Sequence, residues 1–252
     1  MIGKGKSISY TKASIEYGWN QEKDAEIIYK ENLAGETPKE ITDEFKIIQS
    51  MNDNCEKNTF SFVISPTIED GQKLNSNDLN RITNEFISEL KLENHQAIAF
   101  VHNDKNHKHI HLYVNRIDFN GKAYNDSFIG KRSQKIAEKV AEKLQLQTVR
   151  EIKEQKLENL KEIRKFIREK HEQAFSKFHP KKTEEYIAKM KKSNITVKPV
   201  MNKSNKLQGF RYNFKNISLK GSEVHRSMSI NKLNINYLKL AKRIVKQASR
   251  GV

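Results

Sequence analysis

The sequence has one cysteine, Cys55, so neither an internal disulfide nor a cysteine zinc cluster can form. No apolar run approaches the roughly 20 residues that cross a bilayer. Met1 to Ser9 is small and basic, not the apolar core of a secretory signal. Together these absences predict a protein of the reducing cytoplasm with no membrane insertion. Acidic residues are scarce in one half only. Residues 131–252 hold 32 Lys and Arg against 11 Asp and Glu, a net charge of +21, whereas residues 1–130 come to −5. The overall +16 therefore sits in the second half and implies a polyanionic partner there. Hydrophobic residues make up 36% of the 252, enough for one domain and an extension, or for two small domains.

What the chain does have is histidine in one place. Four of its eight histidines fall in His102-Asn103-Asp104-Lys105-Asn106-His107-Lys108-His109-Ile110-His111. His109 to Asn115 alternates polar and apolar, the pattern of a half-buried strand. Successive strand side chains point to opposite faces, so His109, His111, Tyr113 and Asn115 share one face and Ile110, Leu112 and Val114 the other. Gln96 to Val101 is a second apolar run, ending at His102. A hairpin of these two strands brings His102 opposite the His109/His111 pair. Three neutral imidazoles around one point, with coordination positions left open, describe a catalytic metal site. Asp104 and Asn115 are placed to orient the ligand rings by hydrogen bonds. His107 has the parity to join the same face, as a supporting residue or as a replacement ligand.

The stretch His102 to Asn115, H-x-D and then H-x-H followed by apolar residues and Asn, resembles the third motif of the relaxases. These are mobilisation nucleases of the HUH endonuclease superfamily. The resemblance runs from the N-terminus to about residue 145 and more weakly beyond. It implies an α+β fold, a palm-like central antiparallel β-sheet with helices packed on it. It also implies a site- and strand-specific nicking enzyme, a relaxase of a bacterial cytoplasm, acting on a plasmid or mobile element for conjugative mobilisation. The implied partners are single-stranded DNA at the transfer origin, accessory mobilisation proteins and a coupling protein. The implied cofactor is a divalent ion, Mg2+ or Mn2+, although imidazole donors alone suit ions such as Zn2+ better.

In relaxases a tyrosine near the N-terminus, on a short helix rich in small residues, becomes linked to the DNA. Thr11-Lys12-Ala13-Ser14-Ile15-Glu16-Tyr17-Gly18 is similar to that setting, which makes Tyr17 the expected nucleophile and Tyr10 its rival. Tyrosine ordinarily has a pKa of about 10, so it needs a base or a nearby cation to attack. The resemblance puts the end of the strand Asn58–Ser65 near the site, which nominates Glu69 or Asp70 as that base. The product is a reversible 5′-phosphotyrosyl link. Two alternatives remain at this stage: a rolling-circle replication initiator of the same superfamily, and a non-catalytic DNA-binding accessory protein with structural histidines.

The rest of the chain reads as scaffold. Ile27, Ile28 and Leu33 suggest one helix. Thr37 and Pro38 cap and open the next, with Ile41, Phe45 and Ile48 on its apolar face. Leu74 to Leu92 reads as a helix capped by Ser76, and Lys131 to Leu146 as another. Asn120-Gly121 marks a turn returning through Lys122 to Tyr124. This order suggests helices on one face of the sheet. The expected divisions are a relaxase domain at 1–147, a charged helical linker at 148–180 and a small, basic α+β extension at 181–252. Lys131, Arg132, Lys198, Lys203, Lys206, Arg211, Lys220 and Arg226 are candidates for DNA contact. Aromatics interleaved with the C-terminal bases suggest base stacking as well.

Overall fold

The computed structural model describes residues 1–20, 25–102, 108–178, 183–204 and 206–229. The chain divides into two compact units, Met1–Lys153 and Glu154–Val252.

The first unit is built on a five-stranded antiparallel sheet in the order β1-β3-β5-β4-β2. Its strands are β1 (Ile2–Ile8), β2 (Glu26–Glu31), β3 (Thr59–Ser65), β4 (Ala97–His102) and β5 (His109–Asn115). Period-two alternation sorts the central strands cleanly. Phe60, Phe62, Ile64, Ala97, Ala99, Val101, Ile110, Leu112 and Val114 make one face, and all are buried. Against them pack α4 (Ser76–Leu90), through Leu79, Ile82, Phe86 and Leu90, and α5 (Ile129–Lys143), through Ala137, Val140 and Ala141. The opposite face carries the histidines. It is covered in part by α1 (Thr11–Gly18) and α2 (Pro38–Gln49), whose Ile15, Ile41 and Phe45 cluster with Ile98, Phe100 and Tyr113. Helices therefore lie on both faces, not on one as expected. The α2 stripe of Ile41 and Phe45 finds its apolar partner on the far side of the same strands.

Several boundaries follow from local chemistry. Thr37 and Glu40 form a capping box with Pro38 in the first turn of α2, as the sequence suggests. The cap of α4 is Asn75, one residue before the expected Ser76, and it forms the box with Asp78. The segment around Ile27 and Ile28 is the edge strand β2 and not a helix. Two isoleucines and a tyrosine in a six-residue run suit a strand beside β4 better than an isolated helical turn. The β1 strand has almost no apolar signal, because its inward positions are glycines that let α5 come close. A Cβ at Gly3 would lie 2.5 Å from the Ser133 carbonyl oxygen. Beyond the Asn120-Gly121 turn, the returning strand amounts to one bridge, Ile117 with Ala123.

The second unit holds the greater part of α6 (Val149–Phe178), then α7 (Thr183–Lys191), β6 (Thr196–Met201), β7 (Leu207–Phe214) and β8 (Ile217–Lys220). The three strands form an antiparallel sheet in chain order. Ile163, Ile167 and Ala174 of α6 are buried with Tyr186, Met190, Val197, Phe210, Tyr212 and Leu219 in a single core. Two tyrosines sit in that core because their hydroxyls are paired: His171 Nδ1 lies 2.8 Å from the Tyr186 oxygen, which lies 2.9 Å from the Tyr212 oxygen. A four-residue helix, α8 (Gly221–Val224), and a 3-10 turn, Arg226–Met228, follow. Among the described residues no helix is long and apolar enough to cross a membrane.

Candidate active site

The histidine face places the expected residues by strand register. His102 pairs directly with His109 across β4 and β5, and His111 lies opposite Phe100 on one side and Val63 on the other. Residues opposite one another in an antiparallel pair share a face, so His102, His109 and His111 are all on it. The rings of His102 and His111 lie 4.5 Å apart, centroid to centroid. His102 is buried, and its Nε2 lies 3.0 Å from the carbonyl oxygen of Gly18 at the end of α1. His109 is half-buried, and its Nδ1 lies 2.9 Å from Ser65 Oγ at the end of β3.

Helix α1 brings the phenols to this face. The Tyr17 ring sits 5.5 Å from that of His102 and 5.4 Å from that of His111, yet Tyr17 keeps 47% of its surface exposed. Tyr10, at the other end of the helix, is 53% exposed and accepts a 3.2 Å hydrogen bond from Lys6 Nζ. Tyr10, Tyr17, Lys6, Ser61, His111 and Tyr113 line one cleft of about 330 Å³. Tyr113 at its floor is buried. Burial pushes its phenol pKa up, and the charges that Tyr17 and Tyr10 would carry when ionised push it further. Helix α1 docks closely because Gly18 has no side chain; a Cβ there would run into the Phe100 ring and come within 2.9 Å of that of Tyr113.

The other expected residues are placed differently. Asn115 is fully buried. Its amide donates to the Phe45 carbonyl (3.1 Å) and to Gln96 Oε1 (2.8 Å), and its own oxygen accepts from the Ile117 amide (3.1 Å). It ties β5 to α2 and does not reach toward the imidazoles. Glu69 lies on the short helix α3 (Ile68–Gly71), where its carboxylate accepts a 3.0 Å bond from the Gln147 side chain, while Asp70 accepts from the Gln147 backbone (2.9 Å). Both acids hold the segment after α5. Asp104 and His107 lie outside the described residues. Arg132 is spent internally, donating to the Tyr124 hydroxyl and to the Asn125 carbonyl (2.9 Å), and Lys131 lies over the Phe128 ring.

Reading the sequence did not single out Ser65, Gly18 or Lys6. The first was legible: the period-two pattern of β3, paired with that of β5, puts Ser65 on the histidine face. A backbone carbonyl as the partner of His102 leaves no mark in a sequence, and neither does the pairing of β1 that delivers Lys6.

Three imidazoles on one face are a donor set that fits a divalent transition ion in kind. Among the described residues, however, no three His, Cys, Asp or Glu side chains converge closely enough to hold one as they stand. The register is suitable; the ring positions are those of a site with His102 turned to Gly18.

The model of the MobA/VirD2-like nuclease domain of relaxases matches residues 16–146, just over half of the chain. The match takes in Tyr17 and the whole histidine stretch. The chain belongs to this relaxase family, and its first unit is a nuclease domain of that kind. No curated protein and no solved structure matches it.

Proposed function

We propose that this protein nicks one strand of DNA at the transfer origin of a plasmid or mobile element, with Tyr17 as nucleophile, for conjugative mobilisation. The observation that carries the reading is the half-exposed Tyr17 ring lying against both His102 and His111 at the mouth of a cleft. The Tyr17 oxygen attacks the scissile phosphorus, the bond to the 3′ oxygen breaks, and that oxygen takes up a proton to leave a free 3′-hydroxyl. The phenol proton passes to water. Glu69, bonded to Gln147, is the less favoured base. One phosphoester replaces another, so the strand can be rejoined by the reverse step. Hydrolysis would lose that link.

His102, His109 and His111 would hold the divalent ion, Mg2+ or Mn2+ with Zn2+ as the alternative, once His102 releases the Gly18 carbonyl. Such an ion supplies positive charge against the phosphate oxygens. Ser65 keeps the His109 ring oriented, and Lys6 with Tyr10 walls the cleft where a single strand would lie. Accessory mobilisation proteins and a coupling protein are the partners this role requires, and a bacterial cytoplasm is its setting.

The test is a randomised pool of labelled single-stranded oligonucleotides incubated with the protein and Mn2+ or Mg2+. The expected result is a protease-sensitive covalent adduct that Tyr17→Phe abolishes and Tyr10→Phe retains. An adduct that survives Tyr17→Phe and disappears in Tyr10→Phe would transfer the nucleophile to Tyr10. Cleavage without an adduct would overturn transesterification.

A further inference from the structure

The small sheet of the second unit has one face in the core and one toward solvent. Val197, Phe210, Tyr212 and Leu219 point inward and are buried. In register on the outer face stand Lys198, Arg211 and Lys220, each directly opposite the next across β6, β7 and β8. Lys198 and Lys220 are exposed and Arg211 half-exposed. The neighbouring row, Thr196, Asn213 and Ser218, is polar and uncharged. No carboxylate occurs in any of the three strands. Among the described residues no ion pair involves any of the three cations. The Arg211 guanidinium is steadied from below by Ser218, at 3.4 Å from its hydroxyl and 3.5 Å from its carbonyl oxygen.

Like charges set directly opposite on a sheet repel and destabilise it. Three in one row, without an acid among them, cost the fold something and stabilise nothing inside it. Residues 183–229 repeat the bias, with ten Lys and Arg against three Glu. Inter-strand spacing of about 4.8 Å gives the row a span of roughly 10 Å. A nucleic-acid strand in a duplex carries one phosphate for about every 3.4 Å of axis, so the row matches about three phosphates.

The sequence suggested bases interleaved with aromatics for stacking. The register separates them: Phe210 and Tyr212 face the core, and the outer rows contain no aromatic ring. Lys203 and Lys206 flank the turn between β6 and β7, and Arg226 lies on the 3-10 turn, so none belongs to the row. We propose that Lys198, Arg211 and Lys220 form a phosphate-tracking surface that binds a nucleic-acid backbone without reading its bases. This surface lies outside the matched nuclease region and does not depend on Tyr17 or the histidines.

The experiment measures binding of the full chain to labelled oligo-dT, a mixed-sequence single strand and a mixed-sequence duplex, in EDTA, across a salt series. Each phosphate contact contributes about 0.7 (single strand) to 0.9 (duplex) to the slope of log affinity against log salt. The triple variant Lys198→Gln/Arg211→Gln/Lys220→Gln should lower that slope by about 2–3 and weaken binding by at least about tenfold at low salt. A control, Lys153→Gln/Lys156→Gln/Lys165→Gln, removes the same charge from α6 and should change the slope by less than about 1. The single-strand and duplex arms show which form the surface prefers. Equal losses in the control, an unchanged slope in the triple variant with its melting curve intact, or a loss confined to one base composition would each overturn the proposal. Adduct formation with Tyr17 is scored separately, so failure of the nicking reaction leaves this test standing.

Discussion

The five-stranded sheet carries helices on both faces, whereas the three-stranded sheet has its core face packed and the other face outward. In the first, polar groups at the site are held by neutral partners: a carbonyl for His102, a serine for His109, an asparagine network at Asn115. In the second, three cations stand in line, and among the described residues none of them is in an ion pair. The net charges of the two units, −1 for residues 1–153 and +17 for residues 154–252, follow the same division. Chemistry at a phosphodiester needs a few groups in fixed positions. Holding a polyanion needs charge in a row and little else.

Four further substitutions and one change of condition would break or sharpen this contrast. Ile167→Ala removes a fully buried side chain from the core of the second unit and should destabilise that unit by about 2–5 kcal/mol. Residue-level hydrogen exchange should show the loss in 154–229 and not in the central sheet. Equal loss in both would mean that the two units unfold as one.

Acid should act on the second unit next. Burial holds the His171 pKa down to about 4 from its ordinary 6.5, against the pull of Glu172 and with the push of His225. The unfolded chain therefore binds the proton first as pH falls. The stability from keeping His171 neutral is complete above about pH 6.5 and is lost progressively toward pH 4, amounting to at most about 3 kcal/mol. Thermal melts followed across that window should show the drop, and His171→Gln should flatten it.

Asn115→Ala leaves the Phe45 carbonyl, the Gln96 oxygen and the Ile117 amide with a partner missing inside the first unit. Urea unfolding should show a loss of about 1–3 kcal/mol. A selective loss of metal affinity with unchanged stability would instead return Asn115 to the histidine site. Leu157→Ala, on the same helix as Ile167 but 53% exposed, should stay within about 0.5 kcal/mol in the same melts.

That last pair shows how far periodicity alone reaches. Leu157, Leu160, Ile163 and Ile167 recur at helical spacing as one apolar edge of α6, but only its later members meet a core. Strands β4 and β5, the capped helices α2 and α4 and the shared face of the three histidines were legible because alternation and capping are local signals. Strands β1, β2 and β8 were not. Their residues are glycine and lysine, a short isoleucine pair, or four residues after a tight turn, and each is a strand only because a neighbour offers it a ladder. The site shows the same division. Strand parity predicts which imidazoles share a face, but not that a glycine carbonyl takes the nitrogen of one, nor that the asparagine beyond them faces inward to a helix.

Strand order has a consequence for how the chain comes to be folded. The first two strands of this sequence lie at opposite margins of the sheet: β1 waits for Thr59–Ser65, and β2 for Ala97–His102. Neither margin can be laid down until the centre exists, and the centre is the late hairpin that bears the histidines. Such long-range pairing slows assembly. The helix with Tyr17 can pack on Pro38–Gln49 early, but the strand face it shares with His102, His109 and His111 is complete only once Asn115 has been made.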